Sequence, residues 1–175
     1  NSAVEKLERL YVQDTFSGIY NRNGFVNATS DLFRKCAVES RNIMLMFIDL
    51  DGLKKINDTY GHEAGDKAIL EGLHRLEDIT DDDMLMFRIG GDEFVIVTNT
   101  DSKDEVMKLC DKIISLNGNT INYNGTDIAV AMSVGAIKIE NRNVRYGDLF
   151  TQLETVARDA RIKDNENESY TVLFR

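Results

Sequence analysis

Five stretches of the chain carry apolar residues at intervals of three and four positions, which is the spacing of an amphipathic helix. In the first stretch these residues are Val4, Leu7, Leu10 and Tyr11. Asp66 precedes another stretch as a predicted N-cap. The helices predicted in this way cover approximately residues 4–11, 25–36, 66–76, 106–114 and 146–163.

Apolar runs of strand length lie between the helical stretches. Residues 42–50 (NIMLMFIDL) are almost continuously apolar and predict a buried central strand, and Asn124-Gly125 predicts a type I′ hairpin. The remaining predicted strands are residues 84–89, 94–98, 129–139 and 170–174. The order β-α-β-β-α-β, with additional helices and a small hairpin, predicts an α+β fold: an α/β sandwich built on a mostly antiparallel central sheet.

The length of 175 residues suits one domain with a short appendage. We assign residues 1–13 to an entering helix that ends an upstream segment, and residues 14–175 to the domain itself. The apolar stripe of the entering helix fits either a coiled coil that continues upstream or a helix that packs on its own domain. The chain starts without an initiator methionine and already in a helical pattern. We therefore expect it to be part of a longer protein.

Charge and cysteine content narrow the range of functions. Thirty acidic and 21 basic residues give a formal charge of -9, which opposes an extended nucleic-acid-binding surface. Cys36 and Cys110 share no metal-ligand spacing and are too few for a disulfide framework, so a reducing cytoplasm fits best. No long apolar run or signal-like segment occurs. We therefore expect a cytoplasmic domain, with any membrane anchor of the full-length protein in its upstream part.

The most informative segment is residues 88–97 (RIGGDEFVIV), where a Gly-Gly-Asp-Glu-Phe break separates two short apolar runs. Glycine tolerates positive φ and has no Cβ. Gly90 and Gly91 are therefore expected to form a tight strand-to-strand turn that a flat ligand can approach. Asp92 and Glu93 follow directly and offer carboxylates to a hard cation.

A second acidic motif, Asp-Leu-Asp at residues 49–51, ends the predicted central strand. A buried strand that terminates in carboxylates presents them rigidly at the edge of the sheet. In the predicted topology this edge adjoins the Gly-Gly turn, so Asp49, Asp92 and Glu93 could share one or two divalent cations such as Mg²⁺. Taken alone, the Asp-x-Asp pattern is a weak indicator of a metal site.

Residues 54–66 are rich in hydrogen-bonding and turn-forming residues, which is typical of a binding loop. Asn57 and Asp66 offer the amide and carboxylate needed to recognise both edges of a guanine, and Lys54 offers a charge to phosphate. Structural roles stay open for the same residues: Asn57 and Asp66 as helix caps, Lys54 as a surface lysine and His62 as a turn residue. Because the sequence has no P-loop or nucleophile elbow, phosphoryl chemistry would depend on metal and carboxylates.

Four motifs stand in order along the chain, at residues 14–22 (DTFSGIYNR), 47–58 (FIDLDGLKKIND), 61–66 (GHEAGD) and 88–94 (RIGGDEF). Together they resemble the GGDEF domain of bacterial diguanylate cyclases. Their order and spacing match that family across roughly residues 12–175. The resemblance is specific because four separate motifs stand in register, whereas each motif alone would be weak.

The resemblance implies a fold related to the palm of nucleotidyl cyclases and polymerases. It also implies the condensation of two GTP molecules into cyclic di-GMP with release of two pyrophosphates. Mg²⁺ is the expected cofactor, with Mn²⁺ as a substitute. Because each domain would hold one GTP, catalysis would require a homodimer, controlled by an upstream sensory or regulatory domain. No nucleic-acid partner is expected.

The family's functional positions transfer to this sequence residue by residue. Asp49, the Leu50 carbonyl, Asp92 and Glu93 would hold the metal, and Asp92 and Glu93 would be the catalytic residues, with Asp92 as the general base. Asn57 and Asp66 would recognise guanine. The residues implied in substrate binding are Gly52, Leu53, Lys54, Asn57, His62, Asp66, Gly90, Gly91 and Arg161.

Two segments depart from the family pattern. Residues 81–84 read Asp-Asp-Asp-Met where the product-binding inhibitory site of the family has Arg-x-x-Asp, so product inhibition at that site is expected to be absent. Residues 154–161 (ETVARDAR) replace a segment that ends in Ala-Lys, and the family's following Gly-Arg-Asn is missing. Arg161 would then replace the phosphate-binding lysine, with a planar fork in place of a point charge.

Two functions of different classes follow. An active diguanylate cyclase is favoured because every carboxylate and guanine-recognising position of the motifs is present. The alternative is a catalytically weak or inactive GGDEF-like domain that acts as a GTP-binding or protein-interaction module, and the altered last helix favours it. A purely structural dimerisation domain would not require intact carboxylates.

Overall fold

The order of helices and strands follows the predicted pattern closely. The structure, a computed structural model, describes residues 2–140, 144–167 and 172–174. The helices are α1 (Ser2–Val12), α2 (Arg22–Val38), α3 (Leu53–Tyr60), α4 (His62–Ile79), α5 (Lys103–Ser115) and α6 (Tyr146–Asn167). The strands are β1 (Ile43–Leu50), β2 (Leu85–Arg88), β3 (Glu93–Val97), β4 (Thr120–Tyr123), β5 (Thr126–Ala129), β6 (Met132–Ile139) and β7 (Val172–Phe174).

Five strands form the main sheet in the order β2-β3-β1-β6-β7, and β4 and β5 form a separate hairpin. All neighbouring strands of the main sheet are antiparallel except β6 and β7, which are parallel. The prediction of a mostly antiparallel sheet with a small hairpin is therefore confirmed. The predicted strand 129–139 is in fact divided, because Ala129 ends β5 and β6 starts at Met132. Residues 170–171 of the predicted last strand lie outside the described residues.

Helices cover both faces of the sheet, which makes it the central layer of an α/β sandwich. The first core cluster joins one face of the sheet to α3, α4 and α5, and the second joins the other face to α2 and α6. Side chains of β1 alternate between the clusters, with Met44, Met46, Ile48 and Leu50 in the first and Ile43, Leu45 and Phe47 in the second. This two-sided burial explains the continuous apolar run of β1.

The predicted binding loop of residues 54–66 is wrong as a description of the backbone. These residues form most of α3 and the first turns of α4, and Gly61, with a φ of 97°, separates the two helices. Gly61 is also the N-cap of α4, so Asp66 lies inside that helix and is not its N-cap. The helical pattern was missed because Ile56 is the buried residue of α3 and its other positions are polar or partly exposed.

The entering helix α1 buries none of its residues. Val4, Leu7, Leu10 and Tyr11 are 49%, 67%, 51% and 60% exposed, so the apolar stripe lies on the surface of the domain. Among the described helices, none combines the length and the apolar character that a membrane span requires.

Candidate active site

The turn between β2 and β3 brings the Gly-Gly-Asp-Glu motif to one edge of the sheet. It is closed by a hydrogen bond from the Ile89 N–H to the Glu93 carbonyl, at 3.0 Å. The turn forms without a positive φ at either Gly90 or Gly91. A Cβ at Gly90 would instead overlap the Glu93 carboxylate, whereas a Cβ at Gly91 would meet open space. A side chain at position 90 would thus displace the Glu93 carboxylate, and Gly91 leaves the backbone accessible.

The acidic residues of the two motifs lie on adjacent strands. Asp49 of β1 is directly opposite Glu93 of β3 in the antiparallel register. The Leu50 N–H donates to the Asp92 carbonyl at 2.8 Å, which ties the end of β1 to the turn. One carboxylate oxygen of Asp49, Oδ1, is buried. The four positions predicted to hold a metal therefore lie at one edge of the sheet, at the ends of two adjacent strands.

The donor set of this edge suits Mg²⁺ better than a metal held by protein ligands alone. In the described part of the chain, no three acidic, histidine or cysteine side chains are grouped closely enough to hold a metal ion by themselves. Mg²⁺ is commonly bound by one or two carboxylates together with substrate phosphates and water. The carboxylates of Asp49, Asp92 and Glu93, shared between one or two cations, would meet that requirement only together with the Leu50 carbonyl, water and the phosphates of a nucleotide.

The first turn of α3 begins directly after β1 and offers backbone N–H groups to an anion. Gly52 is the N-cap in the left-handed conformation, with a φ of 69°, and no side chain caps the helix there. A Cβ at Gly52 would meet open space, and Lys54 is exposed one residue into the helix. Unpaired N–H groups at a helix N-terminus, next to a lysine, favour phosphate binding. The phosphate-binding roles of Gly52, Leu53 and Lys54 stay a prediction.

Asn57 and Asp66, predicted to recognise guanine, come from the two helices that meet at Gly61. The Asn57 amide lies so close to Gly65 that a Cβ at position 65 would overlap it. Asp66, the next residue, is exposed, and His62 is exposed one helical turn before it. The Asn57 amide of α3 therefore packs against the residue that precedes Asp66 in the first turns of α4.

A contact that was missed in the sequence connects the loop after α1 with the Gly-Gly turn. Arg88 Nη1 lies 3.0 Å from Asp14 Oδ2, and Nη2 donates to the Gly91 carbonyl at 2.7 Å. The Ser17 hydroxyl and N–H also donate to Asp14 Oδ2, both at 2.6 Å. Burial alone would raise the pKa of Asp14, but these hydrogen bonds and the Arg88 guanidinium lower it overall. Asp14 and Arg88 both fall within recognised motifs, yet nothing in the motifs indicates that they touch.

Arg161, predicted to contact phosphate, belongs to α6, but its side chain is outside the described part of the structure. Its role stays a prediction. The preceding part of α6 packs closely on β6, where a Cβ at Gly135 would collide with Val156.

An antiparallel sheet in the order β2-β3-β1-β6, with helices on both faces, defines an α+β domain of palm-like topology. The family model described as "Diguanylate cyclase, GGDEF domain" matches residues 11–167. The chain belongs to the GGDEF domain family.

The relatives in sequence are longer than this chain. An uncharacterized protein of Bacillus subtilis, YhcK, is 32% identical over 140 residues, which cover 78% of this chain and 39% of YhcK. An uncharacterized membrane protein of Staphylococcus aureus is 33% identical over 114 residues, which cover 65% of this chain and 32% of that protein. The chain thus spans less than half the length of these relatives.

Two solved structures resemble the fold. The coiled coil and GGDEF domain of DgcB from Caulobacter crescentus, in complex with c-di-GMP, gives a TM-score of 0.82 at 17% identity, covering 99% of this chain and 91% of that one. The diguanylate cyclase SiaD from Pseudomonas aeruginosa, in complex with its activator SiaC, gives a TM-score of 0.80 at 19% identity. The match covers 99% of this chain and 65% of that one. These similarities confirm the predicted palm-like α+β fold.

Proposed function

We propose that this domain is a Mg²⁺-dependent diguanylate cyclase that condenses two GTP molecules into cyclic di-GMP and releases two pyrophosphates. Membership of the GGDEF family supports the cyclase class. The observation that carries the proposal is the pairing of Asp49 with Glu93 on adjacent strands, next to the hydrogen bond between Leu50 and Asp92.

In the proposed site the cation, Mg²⁺ or Mn²⁺, is held by Asp49, the Leu50 carbonyl, Asp92 and Glu93. When bound, such a cation would neutralise phosphate charge and stabilise the negative charge that develops in the transition state. The uncapped first turn of α3 and the Lys54 ammonium would bind the remaining phosphate oxygens.

Guanine is proposed to lie against the start of α4. Asn57 would donate to and accept from the base edge, and the exposed Asp66 carboxylate would accept from its N–H groups. His62, one turn before Asp66, would border the same pocket. On the other side, Gly91 leaves the backbone of the turn open to the nucleotide.

Asp92 is the proposed general base. It would take the proton of a GTP 3′-hydroxyl, which then attacks the α-phosphorus of the second GTP and expels pyrophosphate. Each domain supplies one nucleotide, so the reaction requires two domains that face each other around a two-fold axis. Arg161 of α6 is proposed to contribute charge to the phosphates.

The wider role is also a proposal. The domain would be the output part of a longer signalling protein whose upstream sensory or regulatory domain controls the meeting of two domains through α1. The Staphylococcus aureus relative is a membrane protein, which supports a membrane anchor elsewhere in the full-length protein. The Asp-Asp-Asp-Met sequence at residues 81–84 supports a lack of product inhibition at the usual site.

The test is incubation of the protein with GTP and Mg²⁺ at several protein concentrations, followed by chromatography of the products. We expect cyclic di-GMP and pyrophosphate, at a rate that rises more than linearly with protein concentration because two domains must associate. Asp92→Ala should abolish product formation without a change in the melting temperature. Asp101→Ala, which removes an exposed carboxylate beyond the far end of β3, is the matched control and should keep turnover. Unchanged turnover in Asp92→Ala would refute the proposed site.

The alternative function, a GTP-binding or protein-interaction module without turnover, is favoured by the altered sequence of α6 at residues 154–161. The same assay separates the two functions. Binding of GTP without any product, at protein concentrations high enough to form dimers, would favour the alternative.

A further inference from the structure

Ser133 forms a contact near the candidate site that no motif accounts for. It is 1% exposed on β6, and its hydroxyl donates to the Asp51 carboxylate, with distances of 2.9 and 3.0 Å to the two oxygens. The Asp51 N–H also donates to the Ala131 carbonyl at 2.8 Å. Residue 51 is therefore fixed to the β6 side of the sheet through both its backbone and its side chain.

This contact lies between the two halves of the candidate site. In the register of β1 and β6, Ser133 is directly opposite Asp49, a candidate metal ligand. Asp51 immediately precedes Gly52, where the chain turns into the uncapped first turn of α3. The direction in which the N–H groups of that turn point depends on where residue 51 is held.

We propose that Ser133 is a positioning residue for binding of a nucleoside triphosphate. Its hydroxyl holds the Asp51 carboxylate against β6, which sets the β1–α3 corner so that the first turn of α3 faces the phosphates. This inference rests on the proposed function, because it assumes that a triphosphate binds at the start of α3.

The test is a double-mutant cycle read by affinity for guanosine 5′-(α,β-methylene)triphosphate with Mg²⁺. In this analogue a carbon replaces the oxygen that would leave with pyrophosphate, so binding is measured without turnover. The variants are Ser133→Ala, Asp51→Ala and the double variant, studied by calorimetry together with thermal unfolding. The loss of one hydrogen bond to a charged group should weaken binding about tenfold in each single variant. Because the two residues act as a pair, the double variant should bind as weakly as one single variant and no more weakly.

The matched control is Thr98→Val, which removes another buried hydroxyl, directly after the end of β3. Thr98 is 1% exposed and donates to the Met44 carbonyl at 2.6 Å, at the opposite end of β1 from Asp49. This variant should lose stability while its affinity for the analogue stays within about twofold of the wild type, since a bond far from the site does not orient α3.

Asp51→Asn gives an independent measure, because its amide oxygen can still accept from Ser133. It should lose less affinity than Asp51→Ala. Three results would each overturn the inference. The first is additive losses of affinity in the cycle, and the second is an affinity of Ser133→Ala equal to that of Thr98→Val. The third is an equal loss of affinity in Asp51→Asn and Asp51→Ala. If the wild type failed to bind the analogue, the proposed function would fall and this inference with it, whereas normal wild-type binding with unchanged Ser133→Ala would refute the inference alone.

Discussion

Gly65 of α4 lies directly against the Asn57 side chain, and this contact makes the guanine-binding proposal testable without touching Asn57. A Cβ at position 65 would overlap the Asn57 amide, so Gly65→Ala must displace it. The same helix offers a matched control. At Gly72 a Cβ would meet Leu50 and Met132 at 3.5 Å, an ordinary van der Waals distance.

The two alanine variants should therefore separate stability from binding. Alanine is favoured over glycine within a helix by about 1 kcal/mol, so Gly72→Ala should raise the free energy of unfolding by about 0.5–1 kcal/mol. For a domain of this size, that gain corresponds to a rise in Tm of roughly 1–4 °C. Gly65→Ala has the same helical advantage but must move a neighbouring side chain, so its gain in stability should be smaller. If Asn57 loses one or two hydrogen bonds to guanine, affinity should fall about tenfold to thirtyfold.

Thermal unfolding measures the stability of each variant, and calorimetry on the same samples measures its affinity for guanosine 5′-(α,β-methylene)triphosphate. Gly72→Ala should bind the analogue as the wild type does, whereas Gly65→Ala should bind it weakly and lose its preference for guanine over the adenine analogue. If Gly65→Ala bound with the affinity and base preference of Gly72→Ala, Asn57 would not contact the base and the proposed guanine pocket would be wrong.

Two further predictions follow from titrating groups. Burial raises the pKa of Asp14, but hydrogen bonds from Ser17 and Arg88 outweigh this effect and lower it from 3.8. The Asp14 carboxylate therefore stabilises the fold at pH values above its ordinary pKa, and this contribution is lost as the pH falls. The difference in Tm between the wild type and Asp14→Asn should be largest near neutral pH and shrink below about pH 4, and a difference independent of pH would contradict this reasoning. Burial raises the pKa of the Cys110 thiol from 9.0 to about 12, so its thiolate fraction near neutral pH should be about a thousandfold below that of an exposed cysteine. Mass spectrometry should find Cys110 alkylated by iodoacetamide after denaturation only, and rapid labelling of the native protein would argue against its burial.

Helices and strands that bury many of their side chains in the core could be predicted from the sequence. Residues 43–48 of β1 are all buried, because helices cover both faces of the sheet, and the continuous apolar run reports this directly. The hairpin was equally predictable, because Asn124 and Gly125 both adopt the positive φ that a type I′ turn requires.

Local patterns did not predict features that depend on one buried residue or on distant contacts. α3 buries Ile56 alone, so its sequence has no helical repeat of apolar residues. Arg88 and Asp14 are 74 residues apart in the sequence, and they meet only after β2 and the loop that follows α1 are both in place. The close approach of Gly90 to the Glu93 carboxylate likewise depends on where that side chain lies, not on the backbone angles of the turn.

Strand register connects the core to the candidate site. Glu93, Asp49 and Ser133 form one row across β3, β1 and β6. A slip of one residue in any of these strands would turn its side chains to the opposite face of the sheet, so both layers of the core oppose it. The apolar pattern of the strands therefore determines which polar side chains meet at the edge. Since β1 continues directly into α3 at Gly52, the same register also sets where the phosphate-binding turn begins. The metal and phosphate positions of the proposed site thus depend on a single feature, the alignment of β1 between its two neighbours.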